Sequence, residues 1–276
     1  MKVGNRPMTR LGRAVRQLCP PILWNALNRS LDKMGRQPPR REYYGLQELD
    51  RAIERFVDYD GGFFIEIGGW DGVTFSNTLY FERFRNWRGV LVEPNPTDFL
   101  KCRKNRPEAR TFCYACVPFG YPERFVPMTF CASMTAAHPA GGISGQLPDL
   151  EEHLRSGEQF LAGDETRFQF GAVAKPLSAI LDDENIDAAV DLLVLDVEGF
   201  ELNVLRGIDF ARHAPRFICV EVWNLDEVNG FLTANGYVML DKLSKHDYLF
   251  RKVDATETPR RTEASGAGAA SGRRAP

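Results

Sequence analysis

Several things are scarce in this 276-residue chain, and each shortage removes a class of function. No run of about 18 apolar residues occurs, so no bilayer-spanning helix is expected. The first residues are basic but lack a continuous apolar core and a small-residue cleavage site, so a cytoplasmic protein without a secretory leader is expected. Net charge is only -2, which leaves no overall basic footprint for nucleic acid. There are 4 histidines, and the lone C-x-x-C is Cys113 with Cys116. A structural zinc site needs a second pair or histidines at ligand spacing. The 6 cysteines therefore read as buried, reduced thiols.

What is present is an ordinary globular composition, 43% hydrophobic and 26% charged, enough for one sizeable domain with extensions. Residues 1–41 stand apart. Lys2, Arg6, Arg10, Arg13, Arg16, Arg29, Lys33, Arg36, Arg40 and Arg41 face a single acid, Asp32. Leu11, Val15, Leu18, Ile22, Leu23, Leu27 and Leu31 interleave at near-helical spacing, broken by Pro20-Pro21. Such a partly helical extension suits peripheral contact with an anionic inner membrane face, or packing on the domain. Residues 42–253 read as the domain proper. The tail, 254–276, is Ala, Gly, Ser and Arg without core residues and is expected to be disordered.

Within the domain, strand and helix patterns alternate. Apolar Leu49, Ile53, Phe56 and Val57 share a face of a helix over about 46–59. Strands are expected at Phe63–Ile67, Gly89–Glu93, Arg110–Val117, Ala172–Lys175, Asp191–Asp196 and Phe217–Val222. Tyr237–Leu243 and Asp247–Arg251 read as a closing antiparallel pair. A helix should run from Thr74 to about Asn86. Others should follow an Asn95 or Thr97 cap, Pro176, Gly199, and an Asn224 or Asp226 cap. Residues 118–170 break the rhythm and read as an irregular insertion or lid that could shape an acceptor pocket. The alternation implies a doubly wound α/β sheet whose ligand lies beyond the C-terminal strand ends.

The chemistry concentrates at those ends. Phe63-Phe64-Ile65-Glu66-Ile67-Gly68-Gly69-Trp70-Asp71-Gly72 is an apolar strand ending in an acid and then glycines. Gly68 and Gly69 allow a tight turn and close backbone approach to a ligand, and Gly72 can open the next helix. Glu93 follows 27 positions after Glu66, about one strand–helix–strand unit, where an acid can hold ribose hydroxyls. Asp196 and Glu221 end two more strands. The glycine spacing does not fit G-x-G-x-x-G, which disfavours a nicotinamide oxidoreductase, and an acid inside the first strand suits the cationic S-adenosylmethionine better.

The same stretches, with Ser76-Asn77-Thr78, Glu93-Pro94-Asn95-Pro96, Asp196-Val197-Glu198-Gly199-Phe200-Glu201, Val204-Leu205-Arg206-Gly207, Gly236-Tyr237 and His246-Asp247-Tyr248-Leu249-Phe250, resemble the FkbM family of S-adenosylmethionine-dependent methyltransferases over about 46–252. The resemblance implies a Rossmann-like methyltransferase sheet, mostly parallel with a C-terminal antiparallel strand. It implies that Glu66 and Gly68 lie by the cofactor's amino-acid moiety with Asp71 close by, Glu93 at its ribose, and Ala115 and Cys116 near the adenine; Gly69 and Gly72 of the same turn are expected among the cofactor-binding residues. Asp196 and Glu198 would sit at methyl transfer, to a hydroxyl of a glycan or a related metabolite; the basic N-terminus adds a lipid-linked sugar at the inner membrane face as an expected acceptor. Gly69 and Trp70 depart from the Ala and Asn that often follow the first glycine.

A hydroxyl must lose a proton during transfer, so a carboxylate base or a metal is needed. Asp196 is the first candidate, then Glu198 and Glu221. The three also offer an oxygen set for a divalent ion such as Mg²⁺. Glu198 and Glu201 equally suit a helix N-terminus. His246 reads as structural or as a base at the pocket edge, and Asn77 and Trp70 as ligand contacts or packing. A non-catalytic binding module on the same fold is the competing reading.

Overall fold

A computed structural model of the chain describes residues 42–143 and 145–253. The basic segment 1–41, the tail 254–276 and Cys19 lie outside the described residues, and with them the expected membrane contact. No helix among the described residues is long and apolar enough to cross a membrane.

The frame is a seven-stranded sheet. Its strands are β1 (Phe63–Ile67), β2 (Arg88–Val92), β3 (Arg110–Phe112), β8 (Leu192–Leu195), β9 (Phe217–Glu221), β10 (Tyr237–Lys242) and β11 (Asp247–Lys252), in the order β10-β11-β9-β8-β1-β2-β3. β3, β2, β1, β8 and β9 are mutually parallel, and β11 runs antiparallel to both β9 and β10. This is the expected doubly wound sheet. The strand order reverses between β1 and β8, so the loops after β1, β2, β8 and β9 open one crevice.

Burial on both faces explains the unbroken apolar strands. Ile65, Ile67, Leu193, Leu195, Ile218 and Val220 point to one core, with Leu177, Ile180 and Leu181 of α5 (Leu177–Asp183), Leu202, Val204 and Leu205 of α6 (Glu201–Leu205), and Val228 and Leu232 of α7 (Leu225–Ala234). Phe64, Leu192, Val194, Phe217 and Cys219 point to the other, with Leu49 and Ile53 of α1 (Leu49–Glu54), Tyr80 and Phe81 of α2 (Leu79–Phe84), and Cys102 of α3 (Pro96–Asn105). The period-2 alternation sends successive residues to opposite cores, and both must be apolar.

Capping fixes several helix starts. Asn95 accepts from the Thr97 and Asp98 amides, with Pro96 in the first turn, and Asn224 accepts from the Glu227 amide. Elsewhere the pattern misleads. The helix expected from Thr74 begins only at Leu79, because Ser76, Asn77 and Thr78 turn inward to Glu66 instead of continuing a helix. The first helix is shorter than expected, with a one-turn 3₁₀ segment at Leu46–Glu48 ahead of it.

The strand expected over Arg110–Val117 is two strands. After β3 the chain leaves the main sheet, and Ala115–Cys116 forms β4 of a second sheet ordered β4-β7-β5-β6. Its other strands are β5 (Phe125–Phe130), β6 (Ala136–Ala137) and β7 (Phe168–Lys175). Residues 118–170 are therefore not irregular: they hold β5, β6, the start of β7 and α4 (Leu150–Gly157). Pro127 inside β5 and the two-residue β6 blur the alternating pattern in the sequence.

Candidate functional site

One cavity of about 330 Å³ sits at the C-terminal strand ends. Glu66, Gly68, Gly69, Glu93, Ala115, Cys116, Asp196, Glu198 and Glu221 all line it. Four loops of the main sheet and the small sheet thus bring residues from positions 66 to 221 to one wall. Asp71 and Gly72, expected on the cofactor wall, are absent from it. Asp71 is used within its own turn, accepting from the Val73 and Thr74 amides and from Thr74 Oγ1. Gly72, at φ 78°, packs under α3, where a β-carbon would come within 2.9 Å of Arg106 Cγ.

Gly68 has φ 90°, and a β-carbon there would stand 1.8 Å from the Asp196 carbonyl oxygen. The glycine lets the β1 and β8 ends meet, as well as letting ligand approach. Glu66 lies at the cavity edge with its oxygens engaged: it accepts from Ser76 Oγ (2.9 Å), the Asn77 amide (2.8 Å) and Thr78 Oγ1 (2.6 Å). Arg106, fully buried, lies 3.6 Å from Glu66, pairs with Glu82 at 2.9 Å, and donates to the Gly72 carbonyl and to Ser76 and Thr78. The acid in the first strand therefore organises the loop between β1 and α2. In doing so it holds Asn77, whose buried Oδ1 lacks a hydrogen-bond partner, at the cavity wall.

Glu93 is buried at the end of β2 and accepts from the Trp70 and Asn95 amides at 2.9 Å each. Burial outweighs those bonds and pushes its carboxyl up to about 8. Trp70 (φ 42°) and Phe75 (φ 59°) adopt left-handed backbone, and their rings, with Phe160 from the insertion, wall the cavity. Such strain persists where surroundings enforce it.

The far end of the cavity is acidic. Asp196, Glu198 and Glu221 present carboxylate oxygens within 4.8 Å of one another, Asp196 accessible and the other two half-buried. Burial first, then repulsion by nearby carboxylates, raises all three: Asp196 to about 7 with Asp247 and Glu66 repelling, and Glu198 and Glu221 with Asp196 the leading repelling charge. Water reaching Asp196 through the cavity softens its shift. Glu198 itself sits at φ 53° and Gly199 at φ 85°. The turn is held by Glu201, fully buried, which accepts from the Val197 and Gly199 amides.

Of the residues around this end, sequence reasoning singled out His246 but missed Trp223 and His153. Trp223, two positions after Glu221, stacks on His246 at 4.7 Å and meets His153 edge-on at 6.1 Å. His153 Nε2 lies 3.2 Å from Glu198 Oε2. The insertion that carries His153 docks on the β8 turn: the Gln146 amide donates to the Gly199 carbonyl at 2.6 Å, and a β-carbon on Gly199 would strike Leu147 at 2.5 Å. The H-D-Y run and the Trp after a strand-end acid were visible signals. His153 had none, because only tertiary contact brings it in. Among the described residues the acid trio is the one group of three or more candidate metal ligands, and Cys113 and Cys116 are not in it.

The family model for the methyltransferase FkbM domain matches residues 66–239. No curated protein matches the chain significantly. Among solved structures, a TehB-like SAM-dependent methyltransferase from Corynebacterium glutamicum is similar at 11% identity and TM-score 0.38, covering 84% of this chain and 98% of that one. A methyltransferase from Pyrococcus furiosus gives 14% and 0.37, covering 87% and 98%. A SAM-dependent methyltransferase from Thiobacillus denitrificans, solved with S-adenosyl-L-homocysteine, gives 9% and 0.31, covering 73% and 68%.

Proposed function

Because this chain belongs to the FkbM methyltransferase family, a family of S-adenosylmethionine-dependent enzymes, we propose that it methylates a hydroxyl of a glycan, a lipid-linked sugar or a related hydroxylated metabolite. The observation that carries this reading is the shared cavity. Glycine turn and Glu93 stand at one end, and three carboxylates with raised proton affinity at the other.

The residues fit S-adenosylmethionine. Gly68 and Gly69 leave backbone bare beside the cavity, where the amino-acid end of the cofactor can approach closely. Glu93 keeps lone pairs free for two ribose hydroxyls. Ala115 and Cys116, with Tyr114 beside them, provide a small apolar surface for a purine. When bound, S-adenosylmethionine supplies an electrophilic methyl carbon on a sulfonium.

The chain's own residues must bring a hydroxyl in line and take its proton. Asp196 is placed for both. It is the accessible acid of the trio, and its raised pKa lets it accept a proton near neutrality. Glu198 and Glu221 hold the acceptor's neighbouring hydroxyls, and the Trp223–His246 stack walls that end against bulk water. The same three oxygens would hold a divalent ion such as Mg²⁺.

The test is calorimetric titration with S-adenosylmethionine and with NAD, followed by transfer of labelled methyl to a panel of hydroxylated glycans. Binding of the first cofactor and label in an alkali-stable ether support the reading. Absence of S-adenosylmethionine binding overturns it.

A further inference from the structure

We infer that Cys102, Asn105 and Arg106 of α3 are positioning residues for the cofactor: together they clasp the glycine turn after β1 and fix it against Glu93. The inference rests on the methyltransferase reading for its ligand, and on side-chain geometry for the clasp.

Positions 102, 105 and 106 are related as i, i+3 and i+4, so they share one face of the helix. That face lies on the turn, where the three side chains meet three successive carbonyls. Cys102 Sγ donates to the Trp70 carbonyl, Asn105 Nδ2 to that of Asp71 at 2.9 Å, and Arg106 Nη1 to that of Gly72 at 3.1 Å. Burial, then the nearby Glu93 charge, pushes the Cys102 thiol up, so it keeps the proton it donates. The glycines of the turn fit this contact. A β-carbon on Gly69 would lie 3.4 Å from Cys102 Sγ, and one on Gly72 would lie 3.2 Å from Cys102 Cα.

The clasp holds a conformation that the turn would not keep alone. Trp70, at φ 42°, has a left-handed backbone that a bulky residue adopts only under constraint. In that conformation its amide donates to Glu93 Oε2 while its carbonyl accepts from Cys102. The other end of α3 grips the same acid, since the Asn95 amide donates to Glu93 Oε1. One helix thus ties Glu93 to the turn, and Gly68, Gly69, Trp70 and Glu93 all line the cavity. Cys102, Asn105 and Arg106 do not line it, so they act on a ligand only through the turn.

The experiment compares the native full chain with Asn105→Ala and Asn105→Asp. Asn105 is half-buried at the last position of α3, so neither change cuts into the core. Each removes the donor to Asp71, and the aspartate keeps the shape while setting an acceptor against the carbonyl. In the ligand-free chain, amide exchange over residues 69–76 should quicken by about tenfold, with β1, β2 and the urea midpoint near native. Calorimetry should show S-adenosylmethionine binding about tenfold more weakly to both variants, the size of one lost hydrogen bond. An added negative charge would by itself tighten a cationic ligand, so weaker binding to the aspartate variant excludes a plain charge effect. Native exchange in both variants overturns the clasp. Faster exchange with native affinity overturns its role toward the cofactor. A native chain that binds no S-adenosylmethionine sinks the methyltransferase reading and that role with it, while the exchange comparison still decides the clasp.

Discussion

The backbone of Gly68 rests against the backbone of Asp196: a β-carbon on the glycine would lie 1.8 Å from the Asp196 carbonyl oxygen. The turn after β1 and the acid after β8 are thus one structural unit. Cofactor wall and candidate base cannot move apart independently.

Gly68→Ala should therefore fail twice. Alanine at φ 90° is strained, and its methyl meets backbone that cannot yield. Gly61, at φ 80° with nothing within 4 Å of an added β-carbon, isolates the strain alone. Gly61→Ala should cost about 1–2 kcal/mol. Gly68→Ala should cost clearly more and lose cofactor affinity as well. Urea denaturation of both variants, with calorimetry on the folded fraction, makes the comparison. Equal costs would mean that the contact with Asp196 gives way.

Asp196→Asn preserves shape and removes the base. Cofactor binding should persist, and turnover should fall by about 10²–10⁴-fold. Turnover near the native rate would remove Asp196 from the proton transfer.

Glu93 gives the pH dependence a sign. Its folded pKa is raised to about 8 from an ordinary 4.5. A raised acid favours the folded state in its protonated form. That contribution is full below pH 4.5 and is lost as pH rises through about 8. Glu201, also raised to about 8, and the acid trio act in the same direction. His153, lowered by burial, opposes them below about its ordinary 6.5. The urea midpoint of the ligand-free protein should fall between pH 6 and pH 9, and Glu93→Gln should flatten that fall. A midpoint that rises over this range would contradict the buried, protonated Glu93.

Glu201 holds the β8 turn through two backbone amides. Glu201→Gln keeps an acceptor and should cost little. Glu201→Ala orphans both amides and should destabilise by about 2–6 kcal/mol, near 1–3 for each unmet donor where water cannot enter. Chemical denaturation of the pair decides. Similar losses in both variants would show that charge, not hydrogen-bond acceptance, matters there.

The main sheet was legible because its physics is local. Phe63–Ile67 reads as a strand from its own five residues, and Asn95-Pro96 announces a helix through its own cap. Strand-end acids were legible too, since a carboxylate after an apolar run stands out. What failed was whatever depends on a distant partner. Ser76, Asn77 and Thr78 look helical until Glu66 claims their donors. Arg110–Val117 looks like one strand until Ala115 and Cys116 find β7. The strands of 118–170 are short or carry a proline, and they persist because they pair with each other.

The sequence alone determined the doubly wound sheet, the family, and the convergence of Glu66, Glu93, Asp196 and Glu221 on one edge, because alternation and strand-end position dictate these. Only the tertiary structure decided what each acid can do. Packing showed Glu66 already engaged by its own loop, Asp71 consumed in a turn, and Asp196 open to the cavity. It also brought His153 to Glu198 across the fold. Burial and orientation set a side chain's proton affinity and free lone pairs, and neither is written in residue order.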